Sequence, residues 1–235
     1  MPRKMTALGC FALAVVLGAA WQAQAQDPKS PYPRTAPLDQ YLIADRNAEI
    51  ALARSAAPES IAQDAEVMVL ERHGYETAVK GKNGFLCLVW RSWAAGIDDP
   101  DFWNPKLRAP ACLNPAAARF NIPLTLKRTE LVLAGRSKTQ MSADITAAFD
   151  KKEFPEVEPG AMCYMLSKQG YLNDRDGHWH PDLMFFIPLT DPATWGTGLP
   201  GSPVVVAFTD TLERHTVFLV PVSKWSDGSA APTEH

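Results

Sequence analysis

No segment of this chain carries an established catalytic signature: HExxH and GxSxG are both absent, and no fixed-period repeat runs through its 235 residues. Positive charge is in short supply, with 23 Lys and Arg against 26 Asp and Glu. Nothing here forms a basic field to attract nucleic acid or an anionic membrane, so both partner classes are excluded. Beyond the N-terminus there is no apolar run long enough to span a bilayer. Cysteine is sparse as well, at four residues.

The one long apolar run stands at the start. Arg3 and Lys4 precede uncharged residues 5–20, and Ala23 and Ala25 occupy the small positions of an A-x-A site. That order reads as a secretory signal peptide over 1–25, cut after Ala25. The run is shorter than the ~20 residues a spanning helix needs, which makes an uncleaved anchor the lesser reading. Cys10 comes too early for a lipid-attachment box. Removing the leader takes two basic residues with it and leaves 21 against 26 acidic, a formal charge of −5.

Three cysteines remain: Cys87, Cys112 and Cys163. An odd number in an oxidising compartment suggests one disulfide and one free thiol. Cys87 and Cys163 fall in expected strands and Cys112 in a proline-rich stretch read as a loop, which adapts most easily to disulfide geometry. The pairing expected is Cys87–Cys112, with Cys163 free. Three reduced, buried thiols are the alternative.

Residues 26–37, with four prolines, read as an extended arm, residues 38–225 as one α+β domain, and residues 226–235 as a flexible tail. Asp45 is an N-cap for a helix ending before Pro58. AEVMVLE, YETAVK and FLCLVW then read as three consecutive antiparallel strands, the last two joined by a tight turn at Asn83-Gly84. Residues 92–115, SWAAGIDDPDFWNPKLRAPACLNP, read as a long loop. Asn114-Pro115 opens the next helix, which Pro123 is expected to break and Gly135 to end. Ser137 with Gln140 forms a capping box, and Met141, Ile145, Ala148 and Phe149 give the following helix a core stripe. Four more strands follow from residue 161. The fold class expected is α+β, a mostly antiparallel sheet packed against about three helices.

Stretches such as HGYETAVKGKNGFLCLVWRSW, TLKRTELVLAGRSK, EPGAMCYMLSKQGYL, GHWHPDLMFF and VSKWSDG span most of residues 38–228. Through them the chain resembles a family of exported bacterial proteins to which no activity is assigned. The resemblance implies a periplasmic or secreted location and gives no residue a role.

Two places invite chemistry. In DGHWHPD, an extended backbone puts His178 and His180 on one side and Trp179 on the other, so the imidazoles could share a zinc, copper or iron ion. The third ligand would be His215, with His73, Cys163 or Asp182 as alternatives. Cupin and EF-hand spacings both fail here, and a bare HxH is more often two polar residues on a loop. Cys163 with a histidine is a weaker, nucleophilic option, and Ser167 weaker still. Elsewhere, Trp93 and Trp103 bracket Asp98, Asp99 and Asp101, where aromatic faces beside carboxylates could hold a sugar. Trp93, Asp101, Trp103 and Trp179 are therefore the ligand-binding candidates, although DDPD is equally a solvated turn.

Two functional classes follow: a non-catalytic binding module for a small molecule, glycan or envelope partner, or a metal-dependent or histidine-assisted hydrolase centred on the HWH loop. The lack of any catalytic signature favours the first. N-terminal sequencing of exported material is expected to begin at Gln26; an intact Met1 in a membrane fraction would refute cleavage.

Overall fold

The computed structural model describes residues 30–177 and 179–232. Its frame is an eight-stranded sheet in the order β2-β1-β3-β4-β5-β6-β8-β7. The strands are β1 (Glu66–Glu71), β2 (Gly74–Val79), β3 (Leu86–Trp90), β4 (Ala109–Leu113), β5 (Met162–Met165), β6 (Asp182–Pro188), β7 (Val205–Asp210) and β8 (His215–Pro221). The helices are α1 (Arg46–Arg54), α2 (Glu59–Ala62), α3 (Pro115–Leu133) and α4 (Lys138–Asp150). The α+β class and the mostly antiparallel sheet are those expected. No described helix is long and apolar enough to cross a membrane.

Three details depart from expectation. The first three strands are not a meander: β2 pairs antiparallel with the outer side of β1, while β3 lies parallel to β1 on its other side. The link from β2 to β3 must therefore cross the start of β1. Gly81 permits this, because a Cβ there would fall 2.2 Å from Glu66 N. Gly84 does take the positive φ its sequence suggested (+79°), but within that crossing and not in a hairpin. Second, β4 occupies part of the expected loop, masked by Pro110. β5 pairs with β4 only at Cys112 and Leu113, so Pro110 sits where the strand has an open side and proline is tolerated. Third, α3 runs unbroken through Pro123.

Other local signals hold. Asp45 and Asn114 cap α1 and α3 through their side chains. Ser137 and Gln140 form both halves of the capping box, and Met141, Ile145, Ala148 and Phe149 are buried. Cys87 and Cys112 face each other across β3 and β4, Cα atoms 4.0 Å apart, and are disulfide-bonded; Cys163 is a buried free thiol. Residues of the expected tail fold back, with Ser226 N–H donating to Leu166 O and Ala231 N–H to Ser223 O.

The inner strands are covered on both faces. Val67, Val69, Cys87, Val89 and Cys112 pack on Ala53 of α1, Ala62 of α2 and the alanines that follow each helix, Ala56, Ala57 and Ala65. Leu88, Trp90, Leu113 and Cys163 pack on Phe120, Leu124, Met141 and Ile145 of α3 and α4. The ladder joining β1 to β3 covers only Glu66–Leu86 and Val67–Cys87, and a buried ion pair serves the backbone groups beyond it. Arg91 Nη2 lies 2.9 Å from Glu49 Oε1, with side chains 0% and 1% exposed. Glu49 also accepts Leu70 N–H at 2.9 Å, and Arg91 donates to Tyr41 O and Val89 O at 2.7 and 2.5 Å. Removing one member leaves a buried charge unpaired. Arg91→Met should cost on the order of 3–5 kcal/mol in urea unfolding; a loss below about 1 kcal/mol would show that the pair is dispensable.

Candidate functional site

The outer strands β6, β8 and β7 meet the helices towards the His215 end of β8, through Phe120 with His215, Arg128 with Glu213 and Arg214 with Asp150. Register sets what these strands present. Met184 pairs with Leu219, Phe186 with Val217 and Phe208 with Val217, so these side chains share the face turned towards α3. At that end, the turn at 211–214 joins β7 to β8. Asp210 accepts Glu213 N–H at 2.8 Å within it.

That turn is clasped from two helices. Arg128 on α3 donates from Nε to Glu213 Oε1 at 2.5 Å and from Nη1 to Trp93 O and Ala95 O, each at 2.5 Å. Both side chains of the pair are buried, 3% and 5% exposed. Arg214 forms an ion pair with Asp150 of α4, and its guanidinium lies 5.6 Å from the centre of the Phe149 ring. Above the clasp opens a cleft of about 990 Å³. Its walls are mainly apolar, with Trp90, Leu124, Met184, Phe186, Phe208 and Leu219 among them; Asn121, Thr125, Arg128, Glu213 and His215 supply polar groups. Burial pushes the Glu213 carboxyl up against the pull of Arg128, and burial pushes His215 down, which favours a neutral imidazole.

The ligand-binding candidates fall elsewhere. Trp93 and Trp103 are core residues: Trp93 Nε1 donates to Thr129 Oγ1 at 3.0 Å, and Trp103 O accepts from Tyr41 Oη at 2.9 Å. Asp101 accepts from Asn104 Nδ2 at 2.8 Å. Trp179 is buried against Gly170, where a Cβ would meet the indole at 2.1 Å, and its Nε1 donates to Met165 O at 2.9 Å. The aromatic faces proposed for a sugar are packed inside the protein, because the indole rings complete the core.

The metal candidates among the described residues are not brought together. His178 lies outside the described residues. His180 has its two ring nitrogens 3.2 and 3.1 Å from the carbonyls of Pro181 and Pro232. His215 pairs with Pro188, beyond the opposite end of β6 from His180, a separation of roughly 26 Å along an extended chain. His73 is exposed in the β1–β2 turn. Two nearby carboxylates are engaged, and Asp182 is buried: Asp174 accepts from Tyr171, Tyr32 and Lys106, which together hold it down at about 2, and Asp176 accepts from Arg175 and Asn173. Among the described residues, no group of three or more His, Cys, Asp or Glu side chains is placed to hold a metal ion. Burial, with a contribution from Asp182, pushes the Cys163 thiol well above its ordinary value, which opposes a nucleophilic thiolate.

Arg128 left a trace in the sequence. It falls four residues after Leu124 and three before Leu131, a charge on the apolar stripe of a helix. Glu213, in a turn, left none. No family model, curated protein or solved structure matches this chain. Function must therefore be argued from geometry.

Asp182 gives the region a measurable pH response. Its Oδ1 is buried without a hydrogen-bond partner, and burial pushes the carboxyl up to about 7. An unfolded aspartate titrates near ~3.9, so folding takes up a proton between about pH 4 and 7. Stability contributed by the protonated form is thus present at low pH and lost as pH rises through that window. Asp182→Asn should be more stable than wild type at pH 8 by on the order of 1–3 kcal/mol, with the difference shrinking towards pH 4. Equal denaturant midpoints at pH 8 would contradict this.

Proposed function

We propose that this chain is an exported, non-catalytic binding module whose cleft takes one small, largely apolar molecule. The observation that carries the reading is the cleft itself. Its volume of about 990 Å³ lies at the upper end of small-molecule sites, and its lining is apolar over most of its area, with polar and charged side chains interspersed. The two-helix clasp on the 211–214 turn supports a preformed site, which spares a ligand the cost of ordering it. Export is supported by the leader-like N-terminus and by the disulfide, since such bonds persist in oxidising compartments.

The hydrolase reading has no comparable support, because neither a three-ligand set nor an activated nucleophile is assembled among the described residues. Nile red, a neutral apolar dye, should bind the untagged protein with one-to-one stoichiometry and blue-shifted emission. Met184 is half-buried on the cleft face, so the indole of Met184→Trp would grow into the open volume. That variant should keep its melting temperature and lose about tenfold or more in dye affinity. A wild type that does not bind the dye, or a variant that binds equally well, would refute the cleft as a ligand site.

A further inference from the structure

His215 begins β8 beside the clasped turn and is 3% exposed. The rings of Phe120, Phe186 and Phe208 surround it with centroids at 5.2, 6.3 and 5.9 Å. Its Nδ1 lies 3.2 Å from the backbone oxygen of Glu213. A carbonyl can only accept, so Nδ1 carries the proton and donates. In the neutral ring, the lone pair then belongs to Nε2. No described residue hydrogen-bonds Nε2, and the atom is not sealed off as an unpaired buried group. Since His215 lines the cleft, an oriented acceptor is presented inside an apolar site.

We infer that the cleft selects an apolar molecule bearing a neutral hydroxyl, which donates its hydrogen bond to His215 Nε2; this rests on the cleft being a ligand site. The surroundings of the imidazole argue for a neutral donor. Burial disfavours a cation there, as it disfavours the imidazolium itself, and Arg128 adds to this against the opposing pull of Asp210. A carboxylate would set its oxygens against the Nε2 lone pair, with the acidic side chains of Asp210 and Glu213 on the same lining. Arg128 offers it little help, being already neutralised by Glu213 and bonded to the carbonyls of Trp93 and Ala95. A hydroxyl meets none of these objections. It also leaves the Nδ1 donation to Glu213 undisturbed.

Three probes that share one ring system separate the terms: 1-naphthol, 1-methoxynaphthalene and 1-naphthoate, each titrated at pH 7.5 as a competitor of Nile red on the untagged full chain. 1-Naphthol should bind about tenfold tighter than its methyl ether, the scale of one net hydrogen bond, and tighter than the carboxylate. His215→Phe should abolish the preference, so that 1-naphthol and its ether bind with the same affinity. His215→Gln supplies an amide oxygen as acceptor and should retain part of the preference, which keeps the test open if the phenylalanine variant does not fold. Equal binding of naphthol and ether by the wild type overturns the hydroxyl assignment and leaves the cleft reading intact. So does a naphthol preference that survives in His215→Phe. Failure of all three probes and of Nile red to bind overturns the cleft reading itself.

Discussion

Arg128 reaches from α3 to the turn between β7 and β8 and meets Glu213 where both side chains are nearly sealed from water. Burying two charges costs several kcal/mol each, and mutual attraction repays that only when their remaining polar atoms are also served. Here the Trp93 and Ala95 carbonyls accept from Nη1, while Nη2 faces Glu213 as an ion pair without a hydrogen bond of its own. The arrangement has one good geometry. It is satisfied only when α3, residues 93–95 and the 211–214 turn are all in position, so it specifies a docking as much as it stabilises one. Other anchors of the outer strands on the inner half of the molecule include the four-pair ladder between β5 and β6, the core packing of Phe186 and Val217, the contact of Phe120 with His215, and the ion pair of Arg214 with Asp150.

The two halves of the sheet differ in how they bury apolar surface. Strands β1, β3 and β4 have helices on both faces and read as near-continuous apolar runs, as doubly covered strands must. Around β6, β8 and β7 the back is covered by the link from β6 to β7, with Trp195 stacked on Phe218 at 4.7 Å between ring centroids. The front is left partly open. That open volume is the cleft, and β7, with Val205, Val206 and Phe208 exposed, is its outer lip. A site of this kind arises where the helical layer ends but the strands continue.

Much of the fold was legible because local chemistry and tertiary structure agree. Ser137 and Gln140 cap a helix with hydrogen bonds made among near neighbours, and Met141, Ile145, Ala148 and Phe149 repeat at a period that only a helix uses. Strand order was less legible, because pairing β3 with β1 instead of β2 depends on a crossing whose visible sign is one glycine, Gly81. The Cys87–Cys112 pairing was read correctly for an incomplete reason: Cys112 sits opposite Cys87 in a strand that Pro110 disguised. The site was the hardest part. Trp93 and Trp103 beside carboxylates look the same in sequence whether their rings face water or the core, and only the packing decides. Arg128 could be seen as a misplaced charge, whereas Glu213 and His215 become partners of α3 only once the sheet is assembled.

Hydrogen exchange on Arg128→Met, followed amide by amide under conditions where the variant stays folded, tests most directly whether this pair holds the outer strands over the helices. Leaving Glu213 buried and unpaired should release the β7–β8 hairpin first, so its hydrogen-bonded amides should exchange roughly tenfold faster or more while those of β1 and β3 keep their protection. Unchanged exchange in the hairpin, or an equal loss of protection in every strand, would contradict the account.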